Sequence, residues 1–563
     1  MYAQRILTAL VLVTLTACSS PAPTETDTLD LGSVTEQHIM IPMRDGVNLS
    51  AYLYLPDGDG PWPVLYEQRY ADLRADRTRQ ELAELASHGY VVCAEHFRGA
   101  HLSEGVWNGY RALGWGELQD GHDTVEWLAK QSWSNGKIGT FGASQGGFAQ
   151  NFLAVTQPTH LVTQYMVDTG LSLFHEGYRI GGATKPGRFK TMRDICRVPE
   201  QNDQWLRETL EHPTYDEYWQ QEDCARHFDK MNVPSFTIGS WYDYMSVGSI
   251  DSFVGRQHHG GPNSRGAQKL LLGPWLHGRY NKQSPKVGEL EYPENSTFDV
   301  KAHMLQWFDH HLKGIDNGVD REPTVRYYVM GASGEPGAPG NEWRTADDWP
   351  IPVQETSYYL TPANAQGEGG LDLGKPASAN AKTKYVSDPA HPAPIPVRAF
   401  PGASDARAYE QHSETQTFTT EPLTTAVEWT GGVKVELYIS SSVKDTDYIV
   451  RLSDVYPDGR SILIMDKIQR ARFRDGFDRE VLMEPGKVYK FAFDIHSLSQ
   501  IFNKGHRIRV TVASTGAEFY EPNPNTGGPM TIEPPAETVI AENTIYHTRQ
   551  YPSRIIAPVV EGN

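Results

Sequence analysis

From about residue 36 onward, short apolar runs alternate with amphipathic segments. "PVLYEQ", "YVVCAEH", "KIGTFG", "LVTQYMV", "VPSFTIGS" and "KLLLGP" are mostly apolar along their length, the pattern of strands covered on both faces. The segments between them repeat on a helical period. "RTRQELAELASHG" sets Leu82, Leu85 and Ala86 on one face and stops at Gly89. "ELQDGHDTVEWLAKQ" brings Val125 and Leu128 together, and "VKAHMLQWFDHHLKG" lines up Val300, Met304, Phe308 and Leu312 before Gly314. Strand, helix, strand in repetition predicts a parallel α/β sheet, in two parts at 36–170 and 232–320. Residues 171–231 break the rhythm: "NDQWLRETLEH" and "YDEYWQQEDCARHFDKM" are helix-like, charged and aromatic, which predicts a helical cap at one end of the sheet. Beyond residue 320 the period becomes two. "VKVELYI" puts Val433, Val435, Leu437 and Ile439 on one face, "RIRVTV" does so with Ile508, Val510 and Val512, and Pro457-Asp458-Gly459 reads as a hairpin turn. Residues 321–563 are therefore expected to form an all-β sandwich or jelly roll.

The N-terminal residues do not fit this scheme. "ILTALVLVTLTA" is an apolar run of 12, too short to span a bilayer. It ends at Leu15-Thr16-Ala17-Cys18 and is followed by a polar Ser/Pro/Thr stretch. Residues 1–18 read as a signal peptide and 19–35 as a tether. The run resembles a bacterial lipobox, which implies lipid on Cys18 and export to a membrane facing the periplasm or the outside. The net charge of −19 over 563 residues excludes nucleic acid and anionic lipid surfaces as main partners. Cys93 lies in an apolar strand and reads as a core thiol. Cys196 and Cys224 sit in the cap region, and in an exported chain they are candidates for a disulfide. No Cys/His spacing suited to a metal occurs, and the doublets at 258–259 and 310–311 place neighbouring histidines on different faces.

The chemistry centres on "FGASQGG". A serine in G-x-S-x-G between a strand and a helix forms a nucleophile elbow, in which Gly142 and Gly146 relieve clashes across the turn and Gly147 lets the helix start close to the sheet. The Gln145 N–H then faces a developing oxyanion. Ser144 needs a base, and the base needs an orienting acid, each at the C-terminal end of a later strand. Asp243 in "PSFTIGSWYDYM" and His277 in "KLLLGPWLHGRY" come in the required order. Asp251 and Asp168 are weaker alternatives for the acid.

Together with these, "IPMRDGVNLSAYLYLP", "RGAHLSEG", "GSWYDY", "LLLGPWLHG", "DTDYIVRLSDVYPDGR" and "FNKGHRIRV" resemble the family of bacterial cocaine esterases, α-amino acid ester hydrolases, glutaryl-cephalosporin acylases and Xaa-Pro dipeptidyl peptidases. The resemblance runs from about residue 36 to the C-terminus. It implies an α/β-hydrolase core, a helical cap and a C-terminal jelly roll, with Ser144, Asp243 and His277 as the triad. It further implies that Tyr70 in "YEQRYADL" donates its phenol to the oxyanion. The chain departs from many relatives in having Gln145 rather than tyrosine after the serine. It also lacks the acids by which amino acid ester hydrolases hold an ammonium: Tyr244 and Met245 follow Asp243, Ser172 opens the cap, and Glu176 is the only acid nearby, expected to face solvent. Trp241, Tyr242, Trp275 and Phe174 are candidates for an apolar pocket, or else core. The expected activity is ester or amide hydrolysis of a small molecule without a cofactor. Xaa-Pro peptidase or acylase activity is the nearest alternative, and an inactive carbohydrate-binding lipoprotein the next.

Overall fold

The computed structural model describes residues 29–561 apart from 279, 364–367, 396–401, 518 and 530–536. Cys18 lies outside the described residues. The first sheet begins with β1 (Thr35–Pro42) and β2 (Asn48–Leu55), which form an antiparallel ribbon. β3 (Trp62–Arg69), β4 (Val91–His96), β5 (Ser134–Ala143), β6 (Leu161–Val167), β7 (Ser235–Ser240) and β8 (Gln268–Gly273) follow. Their spatial order is β1-β2-β4-β3-β5-β6-β7-β8, and all contacts from β4 to β8 are parallel. The apolar runs read from the sequence coincide with β3 to β8, and β4 and β7 are buried at every position. Helix α1 (Asp76–Ser87) and the helix Val300–Lys313 cover one face, packing Leu82, Leu85, Met304, Phe308 and Leu312 on Val92 and Phe141. Helices α2 (Asp120–Ala129) and α3 (Gln145–Val155) cover the other, with Val125, Leu128 and Leu153 against Val64 and Ile138. Among the described residues no helix is long and apolar enough to cross a membrane.

The sheet does not end near residue 320. Val325–Val329 adds in parallel to β8, and Glu342–Ala346 pairs antiparallel with it. An open edge on β8 would expose a row of unpaired backbone groups, and these two strands cover it. The C-terminal jelly roll follows, as strands from Gln354–Thr361 to Arg554–Val559 joined in one eleven-stranded ladder. Asp447–Val455 and Ser461–Arg470 form the hairpin expected around Pro457-Asp458-Gly459, and Val433, Val435, Leu437 and Ile439 all face the core.

The cap, residues 171–231, is helical as its composition suggested. Its longest elements are Pro186–Ile195 and Pro199–Glu211. It docks on the jelly roll through Gly181 and Gly182, both at positive φ (58° and 87°). A Cβ on Gly181 would lie 1.8 Å from the carbonyl oxygen of Ile468, and one on Gly182 would lie 2.3 Å from the ring of Phe473. The disulfide expected between Cys196 and Cys224 is not formed: both are free and buried. Cys196 follows the helix Pro186–Ile195, its thiol donating to the Met192 carbonyl at 3.3 Å and its backbone bridging to Ala100, while the amide of Cys224 bonds Leu171. Each thiol fills the apolar cap interior as a small hydrophobe.

Gly181→Ala is expected to cost at least about 2 kcal/mol, from the left-handed backbone and the displaced Ile468 carbonyl. A denaturant midpoint and a rate of cap proteolysis equal to wild type would contradict this docking.

Candidate active site

β5 runs into α3 through a turn that no unconstrained chain adopts. Ser144 has φ 55° and ψ −113°, a conformation costing about 1–3 kcal/mol for a non-glycine residue. The turn is held by the Ser144 amide, which donates to Val167 O at 2.9 Å, and by the Phe148 amide, which donates to Ser144 O at 2.9 Å. The flanking glycines are needed. A Cβ on Gly142 would meet the Gly146 backbone at 3.1 Å, and one on Gly147 would meet Thr169 Cβ at 2.8 Å. The Gln145 N–H belongs to the first helical turn, whose amides lack partners within the helix.

Asp243 lies three residues beyond β7 and His277 four beyond β8. Their side chains meet: His277 Nδ1 is 2.7 Å from Asp243 Oδ2. Asp243 is fully buried, and its Oδ1 accepts from the Met245 amide at 2.9 Å. With Nδ1–H given to Asp243, the lone pair of the neutral ring sits on Nε2. Burial alone would pull the His277 pKa down. The charge and hydrogen bond of Asp243, with a smaller push from Asp168, outweigh burial and Lys282, and the net shift is upward. Ser144, Gln145 and His277 share the wall of a cavity of about 410 Å³, whose rim carries the ion pairs Arg77–Glu81 and Arg69–Glu67.

Tyr70 stands beside this wall, its ring edge-on to Phe97, Trp107 and Tyr110. The Gln145 side chain does something the sequence did not reveal. Its Oε1 accepts from the amides of both Tyr70 and Ala71, each at 2.8 Å, and His101 Nε2 lies 2.9 Å from Tyr70 O. The residue after the serine thus presents its own amide and clamps the loop that carries the tyrosine.

Asp168 is not the acid partner of the histidine ring. It sits at φ 47° after β6, fully buried. Its Oδ2 accepts from the Gly278 amide at 2.8 Å and from Lys282 Nζ at 2.7 Å, and its Oδ1 accepts from Ser240 Oγ at 2.7 Å. Lys282 also donates to Ser240 Oγ and Leu276 O. Asp168 therefore braces the backbone on either side of His277. Asp251 is exposed and lines a different cavity, with Glu176 and Lys467.

The four aromatic candidates for a pocket are core residues. Trp241 Nε1 donates to Tyr328 O at 2.8 Å, the Tyr242 and Tyr292 hydroxyls are 2.6 Å apart, and Trp275 Nε1 donates to Ser296 O at 2.9 Å. Phe174 packs inside the cap on Trp219 and Phe477. Glu176 does not face solvent either. It is buried between Gly170 and Gly248, accepts from the Leu171 amide at 2.7 Å, and burial pushes its pKa up to about 8.

Among the described residues, two clusters each bring three potential metal ligands together. In Asp168, Asp243 and His277 the ammonium of Lys282 already supplies the positive charge. In Asp72, His96 and His101, His96 Nε2 accepts from the Leu73 amide, so the proton sits on Nδ1, and Asp72 is held by Arg74. Neither donor set suits a cation.

An α/β-hydrolase sheet carrying a serine elbow and a buried Asp–His pair defines a serine hydrolase. The family comparisons agree. Residues 45–198 and 189–279 match the X-Pro dipeptidyl-peptidase (S15 family) model, and 317–556 match the X-Pro dipeptidyl-peptidase C-terminal non-catalytic domain. Cocaine esterase of Rhodococcus sp. (strain MB1 Bresler) is 30% identical, over 93% of this chain and 98% of that protein. The chain belongs to this family of serine hydrolases, which takes in esterases and Xaa-Pro dipeptidyl-peptidase-like enzymes. Among solved structures, an α-amino acid ester hydrolase superposes with a TM-score of 0.81 at 23% identity, covering 96% of this chain and 100% of that one. An aminopeptidase from the marine sediment archaeon Thaumarchaeota archaeon gives 0.82 at 23% identity, covering 96% and 99%. At that identity both likenesses speak for the fold alone.

With Tyr70 expected as an oxyanion donor, Tyr70→Phe should lower kcat about a hundredfold or more, a loss of roughly 3–4 kcal/mol. Gln145→Ala leaves two amides without their acceptor and should lower kcat at least about tenfold. The double variant should be little worse than Tyr70→Phe, because both changes act on one donor; fully additive losses would separate Gln145 from Tyr70.

Asp168→Asn removes a charge that raises the His277 pKa. A base must be neutral to act, so activity falls as pH drops through that pKa. The acid limb of kcat/KM should therefore move to lower pH in the variant. Stability should also drop by about 3–5 kcal/mol, since Lys282 is left buried without its counter-charge. A limb that stays in place or moves up would refute the electrostatic part of this role.

Proposed function

We propose that the protein hydrolyses carboxylic esters through an acyl-enzyme on Ser144. The observation that carries this reading is the 2.7 Å contact between His277 Nδ1 and buried Asp243, on the same cavity as a serine held at φ 55°. His277 Nε2 takes the proton from Ser144 Oγ as Oγ bonds to the carbonyl carbon. The Gln145 N–H and the Tyr70 O–H hold the oxyanion, and the imidazolium returns the proton to the departing alcohol as the ester bond breaks. Water then attacks the acyl-enzyme by the same path in reverse roles, giving the acid and restoring Ser144.

Esters without an α-ammonium are the preferred class. Selection for an ammonium needs a fixed negative charge beside it. Tyr244, Met245 and Ser172 stand where such acids would be expected, and burial of Glu176 disfavours its charged form. The printed name of one relative, cocaine esterase, supports the ester reading. We also read Cys18 as a lipid attachment site that anchors the exported enzyme to a bacterial membrane, supported by Leu15-Thr16-Ala17-Cys18 after an apolar run.

Fluorophosphonate should label Ser144, and Ser144→Ala should leave only background turnover. A p-nitrophenyl acyl ester should exceed its matched α-amino ester and glycyl-prolyl anilide in kcat/KM. Faster cleavage of the anilide, with that preference abolished in Glu176→Gln, would replace the esterase reading by the peptidase one. Metabolic labelling with a fatty acid analogue should mark the wild type and not Cys18→Ala; equal labelling would remove the anchor from the account.

A further inference from the structure

The cap places two basic side chains beside aromatic neighbours of the triad and of Tyr70, and among the described residues no acid forms an ion pair with either. Lys185 immediately precedes the helix Pro186–Ile195, and Arg188 lies in its first turn. Lys185 is 9% exposed, so most of its side chain is withdrawn from water. Its Nζ sits 3.8 Å from the ring centre of Tyr244, the residue after the triad aspartate, and 3.9 Å from that of Phe519. Among the described residues no hydrogen bond or ion pair reaches that amine. Of the two carboxylates whose fields it feels, Asp243 is hydrogen-bonded to His277, and Asp466, 3.8 Å from Arg451, forms no ion pair with the amine. Burial, with the like charge of Arg188, pulls the Lys185 pKa well down, the mark of an ammonium short of a counter-charge.

Arg188 is built the same way. Its guanidinium stacks 4.9 Å from the ring of Tyr178, and its Nε is buried without a partner. The phenols of Tyr70, Tyr178, Tyr110 and Tyr244 lie within its electrostatic reach, and among the described residues no carboxylate forms an ion pair with it. Arginine cannot relieve its burial by losing a proton. The contrast with the cavity rim is direct: there Arg69 and Arg77 face Glu67 and Glu81. The helix Pro186–Ile195 also opens without a side-chain cap on its first amides, which adds to the positive potential. Keeping Lys185 protonated beside Tyr244, and the half-buried Arg188 without an ion pair among the described residues beside Tyr178, is costly in an empty site. An anion arriving with the substrate would remove that cost.

We propose that Lys185 and Arg188 form a carboxylate-binding subsite, so that the preferred substrates are esters that carry a second, free carboxylate. This rests on the serine ester hydrolase reading above and narrows its substrate class. The carboxylate belongs either to the acyl group, as in a hemi-ester of a dicarboxylic acid, or to the alcohol that leaves.

The test uses the whole protein and two matched pairs. p-Nitrophenyl hemiglutarate against the p-nitrophenyl ester of monomethyl glutarate places the charge on the acyl side. 4-Acetoxybenzoate against its methyl ester places it on the leaving side. In one pair the charged member should have at least tenfold higher kcat/KM, and that pair identifies the side. Arg188→Gln and Lys185→Met should each lower the charged-to-neutral ratio at least tenfold, and Arg188→Lys should restore part of it. Glutarate should inhibit wild type competitively and glutaramide should not, which needs no variant to fold. Ratios at or below one in both pairs, with no inhibition by glutarate, overturn the subsite while leaving the esterase reading intact. If no ester is hydrolysed in a Ser144-dependent way, the functional reading falls, and calorimetric binding of glutarate to wild type then decides the subsite by itself.

Discussion

The ion pair between Asp168 and Lys282, with both side chains at 0% exposure, fixes the geometry on which the site depends. Two buried charges are expensive unless every lone pair and proton is used. Here Asp168 collects Ser240 Oγ, the Gly278 amide and Lys282 Nζ, and Lys282 adds the Leu276 carbonyl. These partners come from the end of β7 and from both sides of His277. The pair therefore ties the end of β6, through the strained backbone of Asp168, to the loop that carries the base. His277 needs one orientation to face Asp243 with Nδ1. A loop four residues past its strand would not hold that orientation by local preference alone.

The same economy appears at the serine. The elbow stores backbone strain at Ser144, and the bonds from its amide to Val167 and from Phe148 to its carbonyl hold that strain in place. Gln145 then spends its side chain on Tyr70 and Ala71. One side-chain oxygen thereby ties the loop of Tyr70 to the first turn of α3, directly after the serine.

Much of this was legible in the sequence. Strands β3 to β8 are apolar runs because both faces are covered, and the chain order of Ser144, Asp243 and His277 follows from where strand ends fall. What was not legible depended on side-chain direction. Trp241, Tyr242 and Trp275 lie close in sequence to the triad, yet each turns its polar atom to a core partner. Periodicity gives a residue's face, not its rotamer. Glu176 looked like a surface cap residue because the cap's fold on the sheet carries no sequence signature; it is two close glycines, Gly170 and Gly248, that make room for it. Cys196 and Cys224 were close enough in sequence to invite a bridge, but spacing does not report where two Cβ atoms point. The two strands after residue 320 were missed because loops rich in Gly and Pro surround them.

The cap contributes to the local electrostatics through an asymmetry between its acidic and basic groups. The chain as a whole is strongly acidic, at −19, so a distant anion meets repulsion. That repulsion is screened over roughly 8–10 Å at physiological salt, whereas groups inside the cap are not. Burial can silence a carboxylate: Glu176, with its pKa pushed up to about 8, is largely neutral at pH 7. It cannot silence a guanidinium in the same way, because no accessible pH removes the proton. Arg188 therefore keeps its charge beside Tyr178 and within reach of Tyr70, while Glu176 does not keep its own. Near the site, which partly buried groups can discharge matters more than the charge count of the chain.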